Sequence, residues 1–240
     1  MISKNEVKYI QSLYHKKTRD AEGLFIAEGP KLVNEIIHSN IEIKNIYALH
    51  DWARHAGAED VTIISESELQ KISCLQTPNH VLAVAVKPPM EQEPELKGRL
   101  SIVLDGIQDP GNMGTIIRIA DWFGIYQVIA SADTADHYNP KVVQATMGSL
   151  LRVKVWHKNL HAWLAHTPIK IYGAMLNGND VYKTGTITEG LLVIGSEGRG
   201  IRPGVAPYIN HALTIPGNGN AESLNAAVAM GIILSRIVSG

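Results

Sequence analysis

Three short stretches, far apart in the chain, hold the polar side chains best suited to chemistry. Residues 104–124, LDGIQDPGNMGTIIRIADWFG, read as a strand entering a turn-rich loop through Asp109, Pro110, Gly111, Asn112 and Gly114, then a helix from about Thr115 that carries Arg118. The loop's exposed amides can meet a ligand. Arg118 stands among Ile116, Ile117, Ala120 and Phe123, which recur at helical spacing. An arginine in such surroundings needs a carboxylate, a phosphate or carbonyl oxygens, because its charge is not easily neutralised. On spacing alone, a buried ion pair and a phosphate contact are both open. Residues 191–201, LLVIGSEGRGI, read as an apolar strand emptying into Gly195, Glu197, Gly198 and Gly200. These glycines permit either close approach of backbone to a ligand or a plain structural turn. Their G-x-x-G-x-G order departs from the dinucleotide fingerprint G-x-G-x-x-G, and they lie late in the chain rather than in an opening βαβ unit. Residues 213–238, LTIPGNGNAESLNAAVAMGIILSRIV, read as a strand ending at Pro216, a Gly/Asn loop, and a final helix from about Ser223 with Leu224, Ala227, Val228, Gly231 and Leu234 on one face. Asn220 or Ser223 can serve as its N-cap, which leaves Asn225 without a structural task.

The elements that must hold these loops alternate along the chain. From residue 100 onward, SIVLDGI, YQVIA, RVKVW, IKIYGAML, LLVIG and HALTIP are β-rich runs separated by helical patterns, one of them from Pro140. That alternation predicts an α/β fold with a parallel sheet covered on both faces, whose ligands bind beyond the carboxyl ends of the strands. Ahead of it lies a smaller α/β unit. Helical patterns run through Val7, Ile10, Leu13 and Tyr14 and again from Lys31 to His38, and IEIKNIYAL, VTIIS and HVLAVAV read as strands. The run KPPMEQEPELKG, with three prolines and several acids, neither packs nor continues a central strand. The expected division is therefore 1–88 for the small domain, 89–99 for a linker and 100–240 for the larger one.

With 240 residues, 45% hydrophobic and 19% charged, the composition is that of a globular protein able to bury a core, and not of a disordered chain. The lone Cys74 can form neither an internal disulfide nor a four-thiolate zinc site, so a reducing cytoplasm is the expected compartment. The opening MISKNEVKYIQSLYHKK lacks an apolar run of signal-peptide length, and no window approaches the roughly 20 apolar residues of a membrane span. A formal net charge of -1 gives no bulk attraction to nucleic acid. Charge is concentrated locally, however. Lys4, Lys8, Lys16, Lys17 and Arg19, set against Glu6 and Asp20, leave a basic opening segment that reads either as a solvated helix face or as a phosphate contact. His157 and His161 have i, i+4 spacing, with His166 beyond, but no H-E-x-x-H pattern completes a metal site and Trp156 and Trp163 suggest packing, so no metal is expected.

Taken together, N-x-G-x-x-x-R-x-A at 112–120, I-G-S-E-G-x-G at 194–200, and I-P leading to E-S-L-N at 215–225 resemble, in order and spacing, the three motifs of the SpoU (TrmH-like) branch of the SPOUT RNA methyltransferases. The resemblance covers the chain from about residue 100. In the N-terminal part, FIAEGPKLVNEII and TPNHVLAV look like the small, L30e-like substrate-binding domain of many members. The resemblance implies a SPOUT-type parallel sheet with a C-terminal trefoil knot, a homodimer, and S-adenosylmethionine-dependent methylation of a ribose 2′-hydroxyl in ribosomal or transfer RNA, with no membrane partner. It assigns Arg118, Asn112, Glu197, Ser223 and Asn225 to catalysis. Main-chain contacts to the cofactor fall around Gly195, Ile215 and Leu224, with Leu176, Gly178 and Gly198 beside them, and RNA contacts on Lys16, Lys17 and Arg19. Gly217 departs from the hydrophobic residue that members often carry after the proline.

Methyl transfer from a sulfonium to a hydroxyl needs the oxygen in line with the methyl carbon and loss of its proton. A guanidinium stays protonated and is no simple base, so the expected role of Arg118 is to orient a phosphate and favour a developing alkoxide, with the proton passing to an RNA phosphate or another group. Asn112 would hold the ribose or Arg118, and Glu197 would pair with the cationic side of the site. Ribosomal RNA is the preferred substrate and transfer RNA the nearest alternative; an inactive RNA-binding factor and a Rossmann-type nucleotide binder are the readings from other classes.

Overall fold

The computed structural model describes residues 2–58, 60–90 and 93–238. They form two compact units, Met1–Glu91 with Asp136–Leu151, and Gln92–Ala135 with Arg152–Gly240. Glu91 and Gln92, inside the segment read as a linker, lie outside the described residues. Residues 136–151 follow the linker in sequence yet pack with the first unit. Among the described residues, no helix is long and apolar enough to cross a membrane.

The first unit runs α1 (Lys4–Ser12), α2 (Lys16–Glu22), β1 (Leu24–Glu28), α3 (Pro30–Ile37), β2 (Ile43–Ala48), α4 (His50–Ala53), β3 (Val61–Ile63), α5 (Glu66–Ile72) and β4 (Val81–Val86). Its mixed sheet has the order β1-β4-β2-β3, parallel only between β2 and β3. Ser3 and Ser65 start α1 and α5 with reciprocal capping boxes to Glu6 and Glu68, the S-x-x-E signature. Strand β1, LFIAE, is buried throughout because both its faces are covered. Leu24 and Ile26 pack with Ile10 and Leu13, whereas Phe25 and Ala27 pack with Leu32, Val33, Ile36 and Val143.

This unit corrects one expectation for the basic opening segment. Arg19 is only 1% exposed. Its Nη1 donates to the carbonyls of Leu13 at 2.9 Å and Tyr14 at 2.8 Å, and its Nη2 to Asp136 Oδ2 at 2.5 Å. The short α2 turns the residue inward, so its guanidinium closes the fold and is not offered to a phosphate. Lys16 and Lys17 stay exposed, Lys16 paired with Asp20 at 2.6 Å.

The second unit contains β5 (Leu100–Asp105), α6 (Pro110–Trp122), β6 (Gln127–Ser131), β7 (Lys154–Lys158), β8 (Ile171–Asp180), β9 (Gly190–Gly195) and β10 (His211–Thr214). Helix α7 (Pro140–Thr146) belongs to the first unit; α8 (Leu160–Leu164) and the C-terminal α9 (Ala226–Ile237) belong to the second. All strand pairs are parallel, in the order β10-β8-β9-β5-β6-β7. The central strands β5 and β9 are buried along almost their whole length, as strands covered on both faces must be.

Candidate active site

Strands β5 and β9 lie side by side, with Asp105 opposite Gly195 at their carboxyl ends. The chain leaves β5 toward β6 on one side and β9 toward β10 on the other, so these two ends flank a switch point where the sheet opens a crevice. A cavity of about 290 Å³ sits there, lined by Gly106, Asp109, Asn112, Asp133, Glu197 and Arg202 among others.

The first loop is more helical than its sequence suggests. Helix α6 begins at Pro110 and not near Thr115, with Asp109 as its N-cap accepting from the amide of Asn112 at 2.7 Å. Proline at the first helical position behind an aspartate cap is a favoured helix start, because its missing N–H would have had no partner there. Asn112 thereby stands in the first helical turn. At the other end of the chain, α9 begins at Ala226 and its N-cap is Asn225, whose Oδ1 accepts from the amides of Ala227 at 3.1 Å and Val228 at 3.2 Å. Neither Asn220 nor Ser223 caps that helix. Ser223 is exposed in the preceding loop and makes no hydrogen bond among the described residues.

These caps bring three of the five catalytic candidates together. Asn225 Nδ2 donates to Asn112 Oδ1 at 2.8 Å and to Glu197 Oε1, while Asn112 Nδ2 donates to the same Glu197 oxygen at 3.0 Å. The Ala226 amide reaches it at 3.4 Å. One carboxylate oxygen of the second motif stretch thus gathers donors from the first and the third, including the amino end of α9, which favours negative charge.

Arg118 is not part of this knot of hydrogen bonds. At about 100° per residue, it lies about 140° around α6 from Met113, whereas Ile116, Ile117 and Ala120 lie close to Met113 and are buried. Arg118 is exposed with Gly111, Thr115 and Trp122 on the opposite face and makes no hydrogen bond or ion pair among the described residues. Its apolar neighbours in sequence are therefore not its neighbours in space, and the buried-pair reading does not apply. Asn112, about 9 Å back along the helix axis, is held by Glu197 and Asn225 in place of Arg118.

The cofactor candidates fall at the end of β9 and in the loop after it, within β8, just after β10 and just before α9. Between Gly173 and Asn179 of β8 the pairing advances six residues against a single step, Ala212 to Leu213, on β10. The intervening excursion holds Leu176, 74% exposed, and Leu224 is 45% exposed beside α9. Ile215 follows β10. The glycines divide into two kinds. A Cβ on Gly178 would come within 2.7 Å of the Ala212 backbone, and one on Gly195 would run into the backbone of Gly200, where the Gly200 amide closes the turn onto the Ser196 carbonyl at 2.8 Å. Both serve close packing of chain on chain. Gly198 has open space around its Cβ position. Gly195→Ala is accordingly expected to destabilise the protein by about 1–3 kcal/mol, and Gly198→Ala by no more than about 0.5 kcal/mol. Denaturant melts of the two variants check the contrast.

A second cluster was not apparent in the sequence. Asp105, fully buried, accepts from the Arg202 backbone amide at 2.7 Å and from its Nε at 2.7 Å, and Arg202 Nη1 donates to Asp133 Oδ2 at 2.9 Å. Ser131 also donates to Asp133 Oδ1 at 2.7 Å. The Ser131 hydroxyl, and then Arg202, hold the Asp133 carboxyl below its ordinary range, while the hydrogen bond to Asp105 pushes the Arg202 guanidinium up. Only the pairing of an aspartate at a strand end with an arginine 97 positions later reveals it. Of the histidines, His157 Nδ1 lies 3.3 Å from the Ser131 carbonyl and His161 Nδ1 3.0 Å from that of Gly204.

Comparisons with known proteins match both parts of the chain. Residues 99–235 match the SpoU rRNA Methylase family, and residues 4–83 match an MRM3-like substrate binding domain. The chain is 31% identical over 97% of its length to the 23S rRNA (guanosine(2553)-2′-O)-methyltransferase RlmP of Bacillus subtilis, covering 96% of that protein. It is 28% identical over 93% of its length to a 23S rRNA (uridine(2479)-2′-O)-methyltransferase of Streptomyces viridochromogenes, covering 85% of it. Among solved structures, a TrmH-family chain from Porphyromonas gingivalis superposes with TM-score 0.88 at 42% identity, with 98% of each chain covered. The SpoU methyltransferase AviRb from Streptomyces viridochromogenes, in complex with AdoMet, superposes with TM-score 0.85 at 26% identity, covering 99% of this chain and 98% of that one.

Proposed function

The chain belongs to the SpoU rRNA methylase family, and we propose that it transfers a methyl group from S-adenosylmethionine to a ribose 2′-hydroxyl of ribosomal RNA, as a cytoplasmic homodimer whose first unit docks the RNA. The observation that carries this reading is the convergence of Asn112, Glu197 and Asn225, one from each motif stretch, on a single carboxylate oxygen. The names of the relatives point the same way, toward ribose methylation of 23S rRNA with more than one kind of base at the target.

The strand ends β8, β9 and β10 suit the cofactor. They present exposed apolar side chains, Leu176 and Leu224, with Ile215 beside them, and open main chain at Gly198, fitting an adenine and an aliphatic chain held largely by backbone groups. S-adenosylmethionine supplies an electrophilic methyl carbon on a sulfonium. Glu197 turns Oε1 toward the protein donors, and its Oε2, with no protein donor among the described residues, is the acceptor left for a ribose hydroxyl. Asn112 and Asn225 fix that carboxylate in orientation, a preorganisation that costs nothing at the moment of reaction. Arg118 stays protonated and steadies the negative charge on the ribose oxygen or its neighbouring phosphate. It does so from the exposed face of α6, where RNA or a second copy meets it.

That face supports the dimer. Trp122 is 85% exposed on α6 and Val228 50% exposed on α9, two helices packed against each other, an apolar display suited to a partner surface. The knot implied by the family stays part of the proposal. In the first unit, this reading assigns phosphate contacts to the exposed Lys16 and Lys17. Replacing both by alanine is expected to flatten the salt dependence of RNA binding by about one to two units of log K per log salt; an unchanged slope confines them to a structural role. The substrate class is tested by incubating the protein and labelled cofactor separately with ribosomal and transfer RNA from a strain lacking the gene. Label in ribosomal RNA is expected, and label in transfer RNA alone would reassign the substrate.

A further inference from the structure

Arg202 shares the cavity with Asn112 and Glu197, yet nothing in the chemistry above uses it. Most of its hydrogen-bonding edge is engaged by two aspartates. Nε and the backbone amide donate to Asp105, Nη2 lies 2.5 Å from Asp105 Oδ1 and 3.2 Å from Asp133 Oδ1, and Nη1 donates to Asp133 Oδ2 at 2.9 Å. Asp105 is fully buried, so the plane of the guanidinium is set from inside the sheet. Gly106 adjoins one face: a Cβ added there would lie 3.8 Å from Arg202 Cζ, 3.8 Å from Asp133 Oδ2 and 3.9 Å from Arg202 Nε, over the guanidinium plane, and glycine sets no side chain on it. The side chain nevertheless remains 36% exposed and lines the cavity.

The geometry points to the open face of Arg202 as a stacking platform for the base of the target nucleotide. A planar, weakly hydrated cation with its donors engaged binds through its face, and bases taken out of a stack are held on arginine planes. At about 290 Å³, near the foot of the roughly 300–1,000 Å³ range of small-molecule pockets, the cavity offers room for a single base. Stacking tolerates any base, since each has a π-face, and that suits a family whose relatives methylate a guanosine in one case and a uridine in another.

This inference rests on the proposed reaction, and its test separates the two. Arg202→Lys keeps the charge and can keep the Asp105 contact but lacks the planar face. Wild type and variant are compared on an RNA fragment carrying the mapped nucleotide and on the same fragment with an abasic ribose at that position, with S-adenosylhomocysteine affinity measured by calorimetry. We expect kcat/KM of the variant to fall about tenfold on the base-bearing RNA, to match wild type on the abasic RNA, and homocysteine-product affinity to be unchanged. Equal losses on both RNAs, a loss of S-adenosylhomocysteine affinity, or no loss on the base-bearing RNA would each overturn it, the first two by reducing Arg202 to a clamp on the glycine loop. A wild-type protein silent on both RNAs would overturn the proposed reaction and this assignment with it.

Discussion

Glu197→Gln is expected to slow methyl transfer by about 100-fold, with S-adenosylhomocysteine affinity changed little. The carboxylate oxygen Oε1 accepts from Asn112, Asn225 and the Ala226 amide at once. Glutamine keeps one acceptor of the right shape but removes the charge that makes those bonds strong, and its amide NH2 turns a donor toward the site. A companion variant separates orientation from helix stability. Asn225→Ala loses both the cap of α9, worth about 1 kcal/mol, and the amide that fixes Glu197. Asn225→Asp keeps a capping oxygen yet sets a second carboxylate beside Glu197. Near-normal stability with transfer still depressed in the Asp variant is the expected pattern; normal transfer in both Glu197→Gln and Asn225→Asp would remove the three-residue cluster from the chemistry.

The second large effect is on folding. Removing either member of the Arg19–Asp136 pair alone is expected to cost about 3–5 kcal/mol, because the partner is left charged and unpaired in a buried place. Arg19 is 1% exposed and Asp136 11%. Replacing both at once, Arg19→Met with Asp136→Leu, should recover most of the loss, since a buried pair barely outweighs the desolvation of its charges. Denaturant unfolding of the two single variants and the double variant measures the coupling, and additive losses would contradict it. The pair also sets an acid limit. Burial pushes the Asp136 carboxyl up, but the Arg19 hydrogen bond, the Tyr138 amide and the nearby positive charges together hold it below the ordinary aspartate value. A carboxyl lowered on folding contributes stability that is present above about pH 3.9 and lost as pH falls through its folded value.

What was legible in the sequence follows the range of the interactions concerned. The parallel sheet is legible in short β-branched runs such as LLVIG, and the N-terminal helix in the spacing of Val7, Ile10, Leu13 and Tyr14. Asn112, Glu197 and Asn225 stood out by residue type beside glycine-rich loops, and the hydrogen bonds between them span 28 to 113 positions. Strand β1 is not legible because LFIAE, buried on both faces, shows no alternation and has a single β-branched residue, and apolar spacing alone starts α6 later than its Asp109-Pro110 cap does. Spacing along the chain sets Arg118 among apolar residues, whereas spacing around the helix sets it on the opposite face. Arg19 carries no local sign of burial, because its neutralising partner, Asp136, lies 117 residues away. The Arg202 cluster was hidden for the same reason: no local pattern marks a carboxylate that waits at a strand end for a distant guanidinium.

Mass spectrometry of nucleosides from RNA treated with the pure protein and S-adenosylmethionine tests the central claim most directly. We predict one additional 2′-O-methylated nucleoside, its added mass on the ribose fragment and absent from the free base. A methyl group found on the base fragment, with ribose unmodified, would contradict a site in which the Glu197 carboxylate, fixed by Asn112 and Asn225, accepts from a sugar hydroxyl.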